Sequence, residues 1–209
     1  MENNHLIITI SREYGSGGRE IGRQLASRLG IAYYDKKLII QAAQKSGIDE
    51  NLFDNVEERA NDSLIYSLAM GLYASANHTV NIADLTMNDR IYKVQSDVIK
   101  QVASEGPCVI VGRCADHILR GLPNCVNLFI HASMENRARR AIEVYKQPED
   151  GILDLLVRMD KRRRSYHNYY SDEKWGDAHS YHISLDSGVI GIEAAVEVIL
   201  CYLSHRDET

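Results

Sequence analysis

Apolar positions along the chain fall into short runs separated by longer stretches with helical spacing. Leu6–Ile10, Ile31–Tyr34, Cys108–Val111, Val126–Ile130 and Tyr181–Leu185 have the length and β-branched content of buried strands. After the first run, Ile21, Leu25 and Leu29 repeat at four-residue spacing beside the small Gly22 and Ala26, and Gly30 is placed to stop the helix. Asp84 to Val102 predicts one long helix with Ile91, Val94, Val98 and Val102 on a face. Ile192, Ala195, Val196, Ile199, Leu200 and Leu203 predict a last amphipathic helix, with Glu193 and Glu197 off the stripe. This alternation implies an α/β fold with a five-stranded parallel sheet and helices on both faces.

Two segments exceed what such a sheet needs. Residues 36–104 form a largely helical insertion, without proline and with few loop signals. Residues 148–180 form a second excursion between the last two strands. The expected division is therefore one domain, with a core of 1–35, 105–147 and 181–209, an insertion of 36–104 and a lid of 148–180.

The densest chemical signal lies where the first strand meets the first helix, in Ile10-Ser-Arg-Glu-Tyr-Gly-Ser-Gly-Gly-Arg-Glu. A strand, a glycine turn and a helix in that order make a phosphate cradle. Glycine allows positive φ, the backbone N–H groups point inward, and the helix N-terminus adds partial positive charge. The turn departs from the P-loop pattern G-x-x-x-x-G-K-[ST]: Arg12 stands at the first glycine and Gly18 where Lys belongs, with Arg19 and Glu20 following. A plain glycine turn would produce the same string. Its place at the opening of the first strand–helix unit favours a phosphate site.

Ligands of parallel sheets sit beyond the carboxyl ends of the strands. Those ends carry Asp35-Lys36-Lys37, then Gly112-Arg113, then His131-Ala132-Ser133 before a helix with Arg137, Arg139 and Arg140, and finally Asp186-Ser187-Gly188. Guanidinium forks match phosphate oxygens bidentately, so several arginines beside a glycine cradle indicate an anionic ligand. The excursion over 148–180 adds Arg158, Lys161, Arg162, Arg163 and Arg164, followed by Tyr166, Tyr169, Tyr170 and Trp175-Gly-Asp177. This run reads as a solvated helix face, as a base-stacking surface, or as a lid closing over polyphosphate.

Composition narrows the choice. The net charge of −5 argues against a nucleic-acid coat. The four cysteines, Cys108, Cys114, Cys125 and Cys201, show no metal spacing, and most lie in apolar patterns expected of reduced thiols in a cytoplasmic protein. The first strand begins almost at Met1, which leaves no room for a signal peptide, and no apolar run approaches the ~20 residues of a membrane span. The expected partners are small molecules rather than nucleic acid or membrane.

Taken together, Ile10–Gly22, Tyr34-Asp35-Lys36-Lys37-Leu38-Ile39, Val109-Ile-Val-Gly112-Arg113, and Asp160-x-x-Arg163-x-x-Tyr166 with Tyr170 and Trp175-Gly-Asp177 resemble the cytidylate kinase-like branch of the P-loop nucleoside-monophosphate kinases, across nearly the whole chain. The resemblance implies a P-loop kinase fold, a helical monophosphate-binding insertion and an arginine-rich lid. It implies transfer of the ATP γ-phosphoryl group to a nucleoside monophosphate, with Mg²⁺. Cytidylate kinases carry Lys where this chain has Gly18, and Ser or Thr near Glu20. The departure keeps a second reading open, a catalytically weak nucleotide-binding or regulatory protein, and behind it an anion-binding structural protein.

On the kinase reading, Ser11, Arg12, Gly15, Ser16, Gly17, Gly18, Arg19 and Glu20 hold the donor phosphates, with Arg137 as a further donor-site candidate. Arg158, Arg162 and Arg163 close over the transferring group. Either Arg19 or Arg12 supplies the charge of the missing lysine. Arg113 grips the acceptor phosphate, and Asp35 either orients the acceptor or serves a turn.

Overall fold

The protein is described by a computed structural model over residues 5–35 and 87–206. Most of the expected insertion, including Lys36 and Lys37, lies outside the described residues.

β1 (Ile7–Arg12) is the central strand of a five-stranded parallel sheet. Its neighbours are β3 (Cys108–Val111) and β4 (Cys125–His131), with β2 (Ala32–Tyr34) outside β3 and β5 (Ile183–Asp186) outside β4. The registers Ile8↔Val109 and Ile8↔Val126 place apolar residues side by side across three strands. Successive residues point to opposite faces. Ile8, Ile10, Val109, Val111, Val126, Leu128 and Ile130 meet Ile21 and Leu25 of α1 (Gly18–Leu29) and Ala195, Val196 and Ile199 of α6 (Ser187–Arg206). Ile7, Cys108, Ile110 and Cys125 meet Val98, Ile99 and Val102 of α2 (Met87–Glu105) and Tyr166 of α5 (Ile152–Tyr170). Helices therefore cover both faces. Two shorter helices, α3 (Ala115–Ile118) and α4 (Met134–Glu143), follow β3 and β4.

Local signals explain the helix ends. Gly17 (φ 80°) and Gly30 (φ 65°) bracket α1 in the left-handed region, and the Gly30 N–H returns to the Ser27 carbonyl. Ser133 Oγ caps α4 by accepting the Asn136 N–H at 3.2 Å. Gly191 interrupts α6 near its start with φ 80° and ψ 171°.

Three expectations shift. The last strand begins at Ile183, because Tyr181 turns into a side cluster with Phe129 and Trp175. α6 follows β5 without a loop, so it starts earlier than its apolar stripe indicates. α6 is also long and apolar enough to cross a membrane by length and composition, although Ala195, Val196, Ile199 and Leu203 are buried in the core. The basic run lies on α5, with Leu156, Asp160, Tyr166 and His167 facing inward and Arg158, Lys161 and Arg164 exposed.

Candidate active site

Close packing forms the turn between β1 and α1. Gly15 has φ 83°, and a Cβ there would stand 2.6 Å from the Arg137 carbonyl oxygen, so α4 lies directly against the loop. The Ser16 hydroxyl donates to the Glu13 carbonyl at 2.9 Å, and the Ser187 hydroxyl donates to the Ser16 carbonyl at 2.5 Å. Glu13 anchors the loop to β4: its N–H donates to the Ile130 carbonyl, and its Oε2 accepts the Ala132 N–H at 3.2 Å. The loop is thus held on several sides before any ligand arrives.

Arg12, at the end of β1, occupies the space that a lysine at position 18 would need. A Cβ on Gly18 would lie 2.7 Å from Arg12 Cβ and 3.0 Å from its Cγ. The side chain continues to Gly112, where an added Cβ would come within 2.9 Å of Arg12 Cζ. Gly112 has φ 78°, which favours glycine independently. Two glycines distant in sequence therefore border the path of one arginine.

α5 is fastened to the same loop. Asp160 Oδ1 accepts the Tyr14 N–H at 2.7 Å, and Arg163 Nη1 donates to the Arg12 carbonyl at 2.9 Å. The Arg163 guanidinium lies 5.4 Å from the centre of the Tyr14 ring, which also meets Tyr145 edge-on. The Tyr145 hydroxyl donates to Glu20 at 3.2 Å; burial and the Glu20 charge push its pKa up to about 12.

Two clefts meet at Gly15. One, of about 220 Å³, is lined by Arg12, Glu13, Tyr14, Gly15, Gly18, Arg19, Tyr145 and Arg163. The other, of about 210 Å³, lies between α4 and the start of α6, and Asn136, Arg139, Arg140, Ser187 and Gly188 line it with Gly15. The first concentrates three arginines against one carboxylate beside the N-terminus of α1. Phosphate groups suit that arrangement.

The remaining expected residues are spread around this centre. Arg19 lines the first cleft and lies 3.7 Å from Asp35, while Arg23 lies 3.6 Å from the same carboxylate. Asp35 is 6% exposed, so it is a buried partner of two arginines. Arg113 is 3% exposed at the end of β3, inside the rim. Arg158 is exposed, Arg162 half-buried, and neither lines a cleft described above. Arg137 differs from its expected place. It is 4% exposed, pairs with Asp160 and lies 3.5 Å from Glu13. It braces the loop against α5 and lines neither cleft, because its charge is directed into the protein. Asp186 serves a turn by accepting the Gly188 N–H at 2.9 Å.

Behind β1, Ser11 Oγ lies 3.4 Å from Asp116 Oδ2, which is also 2.9 Å from His167 Nε2. Burial alone would lower the His167 pKa, but the bond and charge of Asp116 raise it above the ordinary value. Asp116 and His167 were not legible as partners, since 51 residues separate them in sequence. Tyr14, Tyr145 and Asp160 are further residues of the site that the sequence reading did not single out, although Asp160 stands in the D-x-x-R motif.

The chain matches the cytidylate kinase-like family over residues 7–189. A crystal structure of an uncharacterized protein from Eubacterium ventriosum is 28% identical, covers 96% of this chain and 99% of its own, and superposes with a TM-score of 0.69. Shikimate kinase from Aquifex aeolicus (16% identity, TM-score 0.53, 97% and 98% covered) shares the fold. So does shikimate kinase from Bacteroides thetaiotaomicron (13%, 0.51, 96% and 99%). No curated protein matches. The order β2-β3-β1-β4-β5, with a glycine turn at the end of the central strand, is thus a P-loop kinase fold, and the chain belongs to the cytidylate kinase-like family.

Proposed function

We propose that the protein is an ATP-dependent phosphotransferase whose acceptor is a nucleoside monophosphate of the cytidylate kind, with Arg12 filling the charge role of the absent P-loop lysine. The observation that carries this reading is that Arg12 lines the arginine-rich cleft while its side chain runs past Gly18 to Gly112. On this reading Arg12 would bring its charge to the cradle from the first glycine position, and glycine at position 18 leaves room for its side chain. A loop that had merely decayed would have no need of both changes.

Phosphoryl transfer depends on positioning and charge neutralisation rather than on a covalent enzyme group. The backbone of Ser11–Glu20 and the N-terminus of α1 would hold the donor phosphates. Arg12, Arg19 and Arg163 would neutralise them, whereas α5 is packed against the sheet and loop, so Arg158 and Arg162 would reach the transferring group only through side-chain movement on its outer face. Arg113 and Asp35 would hold the acceptor. Mg²⁺ would arrive with ATP, since this ion keeps much of its water and needs no all-protein cage.

One observation favours the alternative of a nucleotide-binding protein with little turnover. The Tyr14 N–H is occupied by the Asp160 carboxylate, so one donor of the loop is withheld from phosphate. A coupled ADP-release assay with MgATP and CMP, dCMP, UMP, AMP or GMP separates the two. Acceptor-dependent ADP release supports the kinase. Tight ATP binding without turnover on any monophosphate supports the alternative.

A further inference from the structure

Across β1 from the phosphate cradle, a second group of reactive side chains is sealed inside the protein. Cys114, Asp116 and His167 present a sulfur, a carboxylate oxygen and an imidazole nitrogen within 4.8 Å of one another. Their exposures are 4%, 3% and 3%. Cys114 ends the turn after β3, Asp116 lies in the first turn of α3, and His167 comes from the last turns of α5. The turn is unusual. Gly112, Arg113 and Cys114 have consecutive φ values of 78°, 61° and 58°, a region that non-glycine residues seldom adopt.

Hydrogen bonding leaves this cluster incomplete. Asp116 Oδ2 meets His167 Nε2 at 2.9 Å and Ser11 Oγ at 3.4 Å, but Asp116 Oδ1 and His167 Nδ1 are buried without hydrogen-bond partners. His167, whose pKa Asp116 raises, answers the charge at Oδ2, but a second carboxylate oxygen buried without a hydrogen bond is costly.

We propose that Cys114, Asp116 and His167 bind a divalent cation of the zinc class. Thiolate, imidazole and carboxylate form a borderline-soft donor set, which suits Zn²⁺ and disfavours Mg²⁺ and Ca²⁺. Zinc bonds of about 2.0–2.3 Å put tetrahedral ligand atoms roughly 3.3–3.7 Å apart. The three donor atoms lie within 4.8 Å of one another, with Oδ2 and Nε2 at 2.9 Å, so side-chain rotations must adjust them to that spacing as the ion enters. Ser11 Oγ or a water takes the fourth position. On binding, the Cys114 thiol releases its proton to solvent, as does His167 where it is protonated, so that a neutral imidazole ligates and the thiolate and Asp116 together balance the two charges of the ion. The site is distinct from any Mg²⁺ carried with ATP. It ties the β3–α3 turn to α5, and it stands whether or not the protein turns over nucleotides.

The test uses the full chain, purified without a histidine tag, made metal-free and titrated with Zn²⁺ and with Co²⁺. The expected result is one equivalent bound, a tetrahedral Co²⁺ spectrum with a thiolate-to-cobalt charge-transfer band, and a Tm that rises with free Zn²⁺. Cys114→Ser should abolish the charge-transfer band. His167→Gln should weaken binding by about tenfold or more. Cys201→Ser, at an exposed position, should leave both unchanged. The wild-type spectrum decides the matter even where a variant folds poorly. A folded wild-type protein that binds neither ion, a Co²⁺ spectrum without thiolate ligation, or a band that persists in Cys114→Ser would overturn the site.

Discussion

The side chain of Arg12 lies against Gly18 so closely that a Cβ at position 18 would stand 2.7 Å from Arg12 Cβ. The two positions are therefore coupled. Replacing Gly18 by Lys, which restores the usual P-loop letter, should not help the protein as it stands. Overpacking of this kind costs about 1–3 kcal/mol. Gly18→Lys alone should lower the urea midpoint, and Arg12→Gly with Gly18→Lys should recover much of the loss. A double-mutant cycle in which the two effects simply add would refute the coupling.

Arg137 and Asp160 form a buried ion pair that joins α4 to α5, and Asp160 also holds the Tyr14 N–H. Asp160→Ala should strand the Arg137 charge and destabilise the fold by about 3–5 kcal/mol. The double variant Arg137→Met/Asp160→Leu should be much closer to wild type. Denaturant unfolding of the single and double variants makes the comparison. A mild single and a severe double would reverse the assignment.

For the acceptor, Arg113 is the residue to change. Arg113→Lys keeps the charge but loses the planar fork, so the acceptor KM should rise far more than the ATP KM. Steady-state kinetics with each substrate varied in turn will show this. Equal rises in both would assign Arg113 to the structure of the turn instead.

These couplings mark the boundary of what the chain's sequence discloses. The strand–turn–helix at Ile7–Leu29, the parallel alternation and the long last helix follow from periodicity and glycine placement, because they depend on near neighbours. The sequence marks Arg137 only as a donor-site candidate on a helix, and the packing of α4 beneath the loop is what turns it toward Asp160. The run of left-handed residues at 112–114 has no signature beyond one glycine. The path of Arg12 past Gly112 and the meeting of Asp116 with His167 depend on strand order and on where α5 lands. The letters themselves carry no distance between such residues.

His182 gives a pH signature at the edge of the sheet. The Asn127 N–H donates to His182 Nδ1 at 2.9 Å, and the His182 N–H donates to the Asn127 carbonyl at 2.8 Å. Burial first, and then the Arg206 charge, lowers the His182 pKa below 6.5. The unfolded chain thus binds more protons in the interval between the folded pKa and 6.5, and stability rises with pH there. The contribution is complete above 6.5 and lost as the pH falls through the folded value. His182→Asn retains an acceptor but does not titrate, so its unfolding free energy should lack this increment relative to wild type. Parallel pH profiles for the two proteins would argue against the ring nitrogen as the source.

Transfer of the labelled γ-phosphoryl group from MgATP to CMP, compared between wild type and Arg12→Ala with both shown to be folded, tests the account most directly. The prediction is labelled CDP from the wild type and a fall on the order of a hundredfold or more in Arg12→Ala, the cost of losing one transition-state charge contact. Labelled product formed equally well by Arg12→Ala would contradict the role given to Arg12, and a wild-type protein that binds ATP yet labels no nucleoside monophosphate would contradict the kinase itself.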